Sequence, residues 1–122
     1  MKRFVRPLSL LLLLSLLLLL LVSCGTGADR AEKKLLKAGY TVLRYGEGSQ
    51  NPLSATDEDV KTLLKANRGG TWLNVYEFYD EATAAAFCNV WREKYKTSPN
   101  MACERDGTTV YRGMREAYEV VK

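Results

Sequence analysis

Residues 71–79, TWLNVYEFY, are rich in aromatic and branched side chains and predict the longest strand of the fold. Because successive side chains point to opposite faces of a strand, Trp72, Tyr76 and Phe78 share one face. The opposite face is also apolar, which favours a central strand with helices on one side and a helix or the N-terminal segment on the other. The alternative is that the face formed by Trp72, Tyr76 and Phe78 binds a protein partner, a second copy of the chain or a ligand.

The sequence after this strand predicts a helix and then a hairpin. Asp80 is a typical N-terminal cap. The helix after it extends to about Lys96, with an apolar stripe at helical spacing formed by Ala84, Phe87, Cys88, Trp91 and Tyr95. Two short strands flank Asp106-Gly107, which is a strong signal for a two-residue turn. Arg112-Gly113 then leads to a last helix.

The sequence before the strand predicts two helices separated by one strand. Residues 29–38 predict a helix that ends at Gly39, and residues 40–45 predict a strand. After a loop, Thr56 and the acidic residues that follow it predict a helix start, since the helix dipole favours negative charge in the first turn. This second helix ends at Gly69-Gly70, and its apolar stripe is formed by Val60, Leu63 and Leu64.

The predicted order of elements is α-β-α-β-α-β-β-α, which indicates the α+β class. Strands that are joined both by helices and by a hairpin favour a two-layer sandwich. We expect a mixed or antiparallel sheet of about four strands with helices packed on it, in a ferredoxin-like or related arrangement. One small domain over residues 29–122 is large enough for a single modest core.

Cys88 and Cys103 form the most specific pair of residues in the domain. Cys88 lies on the apolar stripe of its helix. In a two-residue hairpin around Asp106-Gly107, Cys103 lies opposite Val110, on the face that is expected to receive the helix. We therefore predict a disulfide between the two cysteines in an oxidising compartment. The alternative is a pair of buried free thiols, and a redox-active pair is disfavoured because there is no C-x-x-C spacing.

Composition argues against several classes of function. The chain contains no histidine, the commonest general base, and three cysteines are too few for a thiolate zinc site. Residues 1–23 hold three of the 18 Lys and Arg residues and none of the 14 Asp and Glu residues, so the remainder carries a net charge of +1. Nucleic-acid binding, which needs a basic surface, is therefore not expected. We expect no catalytic residues, no bound metal and no cofactor.

Residues 1–23 predict a signal peptide. Lys2, Arg3 and Arg6 form a basic start, and a leucine-rich run of fifteen residues follows over positions 8–22. As a helix this run covers about 22 Å, which is shorter than the roughly 30 Å hydrocarbon core of a bilayer. The length is therefore typical of a cleaved signal rather than of a transmembrane helix.

The segment Leu21-Val22-Ser23-Cys24 closes this run and resembles the lipobox of bacterial lipoproteins. The resemblance implies cleavage before Cys24 and attachment of acyl chains such as palmitate to its thiol. Residues 24–28 would then be a lipidated tether, and the domain would face outside the cytoplasm on the cell membrane or the outer membrane. The alternatives are an ordinary secretory signal, which the bulky Leu21 disfavours, and an uncut anchor helix.

Two segments of the domain, residues 75–80 and 107–113, resemble those of small uncharacterised lipoproteins of Gram-positive bacteria, a resemblance that implies no activity. We expect a membrane-anchored, extracytoplasmic module of the cell envelope that is not an enzyme and has a binding or structural role. Its partners would be the membrane, through the lipid on Cys24, and an envelope protein or a second copy of itself. The alternative is a small-molecule carrier or self-associating module that uses the face of Trp72, Tyr76 and Phe78.

Overall fold

The computed structural model describes residues 25–122 as an antiparallel sheet with helices on both faces. The predicted signal peptide and Cys24 lie outside these residues. The elements in chain order are α1 (Gly27–Lys37), β1 (Thr41–Gly46), a short 3-10 turn (Ala55–Asp57), β2 (Val60–Arg68), β3 (Thr71–Phe78), α2 (Glu81–Lys94), β4 (Met101–Asp106), β5 (Thr109–Met114) and α3 (Arg115–Val121).

The five strands are arranged in the order β1-β2-β3-β5-β4, and every neighbouring pair is antiparallel. The predicted α+β class and central position of β3 are therefore confirmed. The sheet has one strand more than the expected four. Helices α1 and α3 pack on one face and α2 packs on the other. The predicted two-layer sandwich is therefore wrong: the fold has three layers, because the central strands carry apolar side chains on both faces.

The predicted helix after Thr56 is wrong, because Val60–Arg68 forms strand β2. Val60 and Leu63 both face α2 although they are three residues apart, since a bulge shifts the register between Val60 and Thr62. This spacing of three residues resembles the apolar stripe of a helix. Gly69 and Gly70, with φ angles of 59° and 92°, form a two-residue hairpin turn rather than a helix end.

The hairpin between β4 and β5 is present, but its register differs from the prediction by two residues. Cys103 lies opposite Arg112, and Asp106 lies opposite Thr109. The two turn residues are therefore Gly107 and Thr108, with the positive φ of 62° at Gly107. Glycine is favoured at the first turn position of a type II′ hairpin, which explains this choice. A shift of two residues leaves Cys103 on the predicted face.

Helix α1 begins at Gly27, two residues before the predicted start. Thr26 is its N-terminal cap: the Thr26 hydroxyl accepts from the Asp29 amide, and the Asp29 carboxylate accepts from the Thr26 amide. A Cβ on Gly27 would collide with the side chain of Thr109, so glycine allows close contact between α1 and the sheet. The described domain thus includes residues that were expected to form a tether.

Candidate functional site

Most of the predicted aromatic face lies beneath α2. Tyr76 and Phe78 are only 5% and 3% exposed, and the ring of Phe87 lies 4.6 Å from the first and 5.1 Å from the second, between centroids. Trp72, at the far end of β3, is half-buried. The face is therefore a packed interface at Phe78 and becomes accessible only toward Trp72.

Arg112 of β5 lies in the accessible part of this face, next to the predicted aromatic residues. Its Nε and Nη2 atoms donate to the Tyr76 hydroxyl at 3.1 and 2.8 Å, and its Nη1 atom donates to the Tyr95 hydroxyl at 3.0 Å. Asn74, the residue opposite Arg112 on β3, also lies within 3.4 Å of the Tyr76 hydroxyl. Two uncharged phenols thus orient the guanidinium.

Two indole rings flank the same guanidinium. The Arg112 Cζ atom lies 4.1 Å from the ring centroid of Trp91 and 5.3 Å from that of Trp72. The Nζ atom of Lys94 lies 4.4 Å from the Trp91 centroid, so this ring contacts two cations. We call the set of side chains around the guanidinium the Arg112 site: Trp72, Asn74, Tyr76, Trp91, Tyr95 and Arg112.

The positive charge of the Arg112 site has no acidic partner within residues 25–122. Each of the ion pairs there joins other residues, and none includes Arg112. Burial is the largest influence and lowers the pKa of the guanidinium, but hydrogen bonds to Tyr76 and Tyr95 outweigh it and raise the pKa above its ordinary value. Arg112 is therefore a permanent, half-buried cation held by neutral groups.

The structure brings Cys88 and Cys103 together beneath α2, as two thiols. Their Sγ atoms lie 3.6 Å apart, and both residues are buried. The Cys88 thiol also lies 3.6 Å from the carbonyl oxygen of Cys103, to which it donates. Burial, followed by the proximity of Cys88, raises the pKa of the Cys103 thiol. The disulfide itself stays a prediction.

A cleft of about 300 Å³ opens on the same face, at the other end of β3. It lies between the 3-10 turn and the exposed side of α2. Its floor and walls are largely apolar and its rim carries two carboxylates; the lining includes Val60, Phe78, Ala86, Phe87, Val90, Asp57 and Asp59. Of the predicted aromatic face, only Phe78 contributes to it.

Glu77 is a buried carboxylate on the opposite face of the sheet, 6% exposed. It accepts from the hydroxyls of Thr108 and Thr109 at 2.5 and 2.6 Å. Both donors belong to the β4–β5 hairpin and its turn, so the contact joins the end of β3 to β5 and fixes their alignment. We assign Glu77 this structural role.

The sequence pattern of β3 predicts Trp72 and Tyr76 as candidate binding residues and gives no signal that Arg112, Trp91 or Tyr95 are their partners. Within residues 25–122, no group of three or more Cys, Asp or Glu side chains could hold a metal ion, and no helix is long and apolar enough to cross a membrane. Comparison of the chain with known protein families, curated proteins and solved structures gives no match.

Proposed function

We propose that the chain is a lipid-anchored module of the cell envelope whose domain binds a ligand or partner outside the cytoplasm. Anchoring is supported by the lipobox pattern at residues 21–24 and by the basic, leucine-rich segment before it. A binding role is supported by one observation above all: the Arg112 guanidinium is half-exposed, oriented by two phenols, and without an acidic partner in the described domain. A ferredoxin-like kinship of the fold stays a proposal.

The anchoring proposal is tested by substituting Cys24 in the full chain. We expect wild-type protein to partition into the detergent phase and to carry a mass increase that corresponds to acyl chains. The Cys24→Ser variant should lose this mass increase and retain residues 1–23. Cys88→Ser is the matched control and should behave like wild type. An unlipidated wild-type protein that begins after residue 23 would contradict the proposal and indicate ordinary secretion.

A second candidate function is a small-molecule carrier, which the cleft between the 3-10 turn and α2 favours. Its volume of about 300 Å³ is at the lower limit for ligand sites, and its walls are largely apolar. A fluorescent apolar dye should bind wild type, and Ala86→Phe should block the binding by filling the cleft. Leu36→Phe, on the exposed side of α1, is the control. Dye binding that both variants retain would reject the carrier.

Self-association is a narrower alternative, because α2 covers Tyr76 and Phe78. Only the end of the aromatic face around Trp72 is open to a second copy of the chain. Sedimentation of the detergent-solubilised protein should give a monomer if this alternative is wrong. A dimer that Trp72→Ser dissociates, and that Tyr79→Ser leaves intact, would support it.

A further inference from the structure

We infer that the Arg112 site binds an oxyanion, a carboxylate or phosphate group, that is carried on a planar or apolar moiety. The inference rests on the proposed binding function and names the chemical class of its ligand. It does not depend on whether Cys24 carries lipid.

The Arg112 guanidinium has N–H donors that form no hydrogen bond within residues 25–122. An arginine has five N–H groups, and the contacts with Tyr76 and Tyr95 use three of them. One N–H on Nη1 and one on Nη2 have no partner among residues 25–122. Two oxygens of one carboxylate or phosphate group can accept from such a pair. The hydroxyl of the half-buried Tyr95 accepts from Arg112 and keeps its own hydrogen to donate.

The surroundings of the site are positively charged. Lys65 lies opposite Asn74, which itself lies opposite Arg112, so the three residues form a row across β2, β3 and β5. Two strand spacings separate Lys65 from Arg112, about 10 Å. Lys94 approaches from α2 over the Trp91 ring. The Lys65 Nζ atom lies 5.2 Å from the ring centroid of Tyr45 on β1, and neither lysine forms an ion pair within the described domain, so both add positive charge around the guanidinium without contacting it.

Two indoles give the site an apolar wall beside this charge. Trp72 and Trp91 are half-buried and reach the guanidinium from β3 and from α2. Aromatic rings that are partly exposed beside a cation stack on flat or apolar groups. A bare inorganic anion would use only the guanidinium, whereas a ring that carries a carboxylate would use both features. The ligand class therefore combines charge with an apolar plane.

These two tryptophans are the only ones in the chain, so intrinsic fluorescence reports the site directly. The full chain, purified from the cells that express it, is titrated with benzoate and phenyl phosphate, with benzyl alcohol as the neutral probe and inorganic phosphate as the probe without a ring. We expect saturable changes with the two ring-bearing anions, weaker binding of inorganic phosphate and none of benzyl alcohol. Added salt should weaken the binding.

The variant Arg112→Gln should raise the dissociation constant of benzoate by at least about tenfold, since charge-assisted hydrogen bonds are lost. Arg105→Gln, an exposed arginine in the same hairpin, is the matched control and should bind like wild type. If Arg112→Gln fails to fold, Lys65→Gln, which removes an exposed charge about 10 Å away, should still weaken binding by about twofold through the loss of long-range attraction.

Three results would overturn the inference: no response to either ring-bearing anion, equal binding of benzyl alcohol, or equal losses in the Arg112 and Arg105 variants. Selective binding of inorganic phosphate would show that the indoles play no part and would overturn the ligand class. All these measurements are independent of Cys24, so a failure here is distinguishable from a failure of the anchoring experiment.

Discussion

Cys88 and Cys103 place two sulfur atoms 3.6 Å apart in a buried interface between α2 and the sheet. To form a disulfide, the sulfur atoms must approach to about 2.05 Å, and an oxidant from the compartment must remove two electrons and two protons. Because burial and the neighbouring thiol raise the pKa of Cys103, little thiolate is present at neutral pH, and the thiolate is the reactive form. Neither sulfur is intrinsically reactive, so we expect this pair to be oxidised slowly and only in an oxidising compartment.

We predict that protein isolated from the cell envelope contains the Cys88–Cys103 disulfide. Its intact mass should be about two units below that of the same protein after reduction. The variant Cys88→Ser cannot form the bond, so its mass should not change on reduction. Alkylation of both thiols in the unfolded wild-type protein without a reductant would contradict the prediction and favour the pair of buried thiols.

At the scale of elements, the capping interaction at the start of α1 makes the stability of the folded domain depend on pH. The amide of Thr26 donates to the Asp29 carboxylate and is the main cause of the lowered pKa of Asp29. Burial opposes this effect, and Arg44, 2.8 Å away, adds to it. A carboxyl group whose pKa is lower in the folded state stabilises that state above the unfolded pKa, here 3.8. The contribution is lost as the pH falls through the folded pKa.

We therefore expect Asp29→Asn to unfold more easily than wild type at pH 7 and to lose less stability between pH 6 and pH 2. Urea unfolding across this pH range measures the slope. Lys33→Gln, an exposed change on the same helix, serves as the control and should retain the wild-type slope. If the slopes of wild type and Asp29→Asn coincide, the capping carboxylate does not carry the acid sensitivity.

Elements with uniform periodicity could be predicted from the sequence, and interrupted ones could not. The stripe of α2 and the alternation of β3 follow the periods of 3.6 and 2, so both elements are confirmed. The sequence of β2 predicts a helix because its bulge places Val60 and Leu63 on one face at helical spacing. Gly69-Gly70 in the same segment is typical of a hairpin turn. The folded chain follows this turn signal rather than the apparent helical stripe.

The Arg112 site could be predicted only in part, for a reason of topology. Alternation along β3 places Trp72 and Tyr76 on one face, and it depends on β3 alone. Arg112 reaches the site because β3 pairs with β5 rather than with β4, which comes before β5 in the chain. Trp91 and Tyr95 reach the site because α2 crosses that face. Neither relation is contained in local sequence patterns, which therefore do not predict that Arg112, Trp91 and Tyr95 join the site.

At the scale of the whole molecule, two core layers share the central strands. Leu64 and Val75 face α1 and α3, whereas Leu63 and Tyr76, their neighbours in sequence, face α2. Because β2 and β3 carry both layers, loss of packing on one side removes support from the other. We therefore expect the described domain to unfold as one cooperative unit.

The variant Leu64→Ala tests this cooperativity. Leu64 is fully buried on the α1 side, so its truncation should cost about 2–5 kcal/mol of unfolding free energy. Both tryptophans lie on the α2 side, yet their fluorescence should shift its urea midpoint as much as the helical circular dichroism does. Leu36→Ala, on a side chain 54% exposed, should shift neither signal appreciably. Separate midpoints for the two signals would show that the layers unfold independently.

The early start of α1 determines how far the domain reaches from a membrane. With Cys24 lipidated as proposed, only Gly25 and Thr26 separate it from the helix, a span of at most about 11 Å. The helix begins beside Thr109, and Arg112 lies three residues farther along β5, about 10 Å away. Because the site lies on the opposite face of the sheet from α1, it would search a layer within about 30 Å of the headgroups. Molecules that reside at the membrane surface would meet it far more often than those free in the surrounding volume.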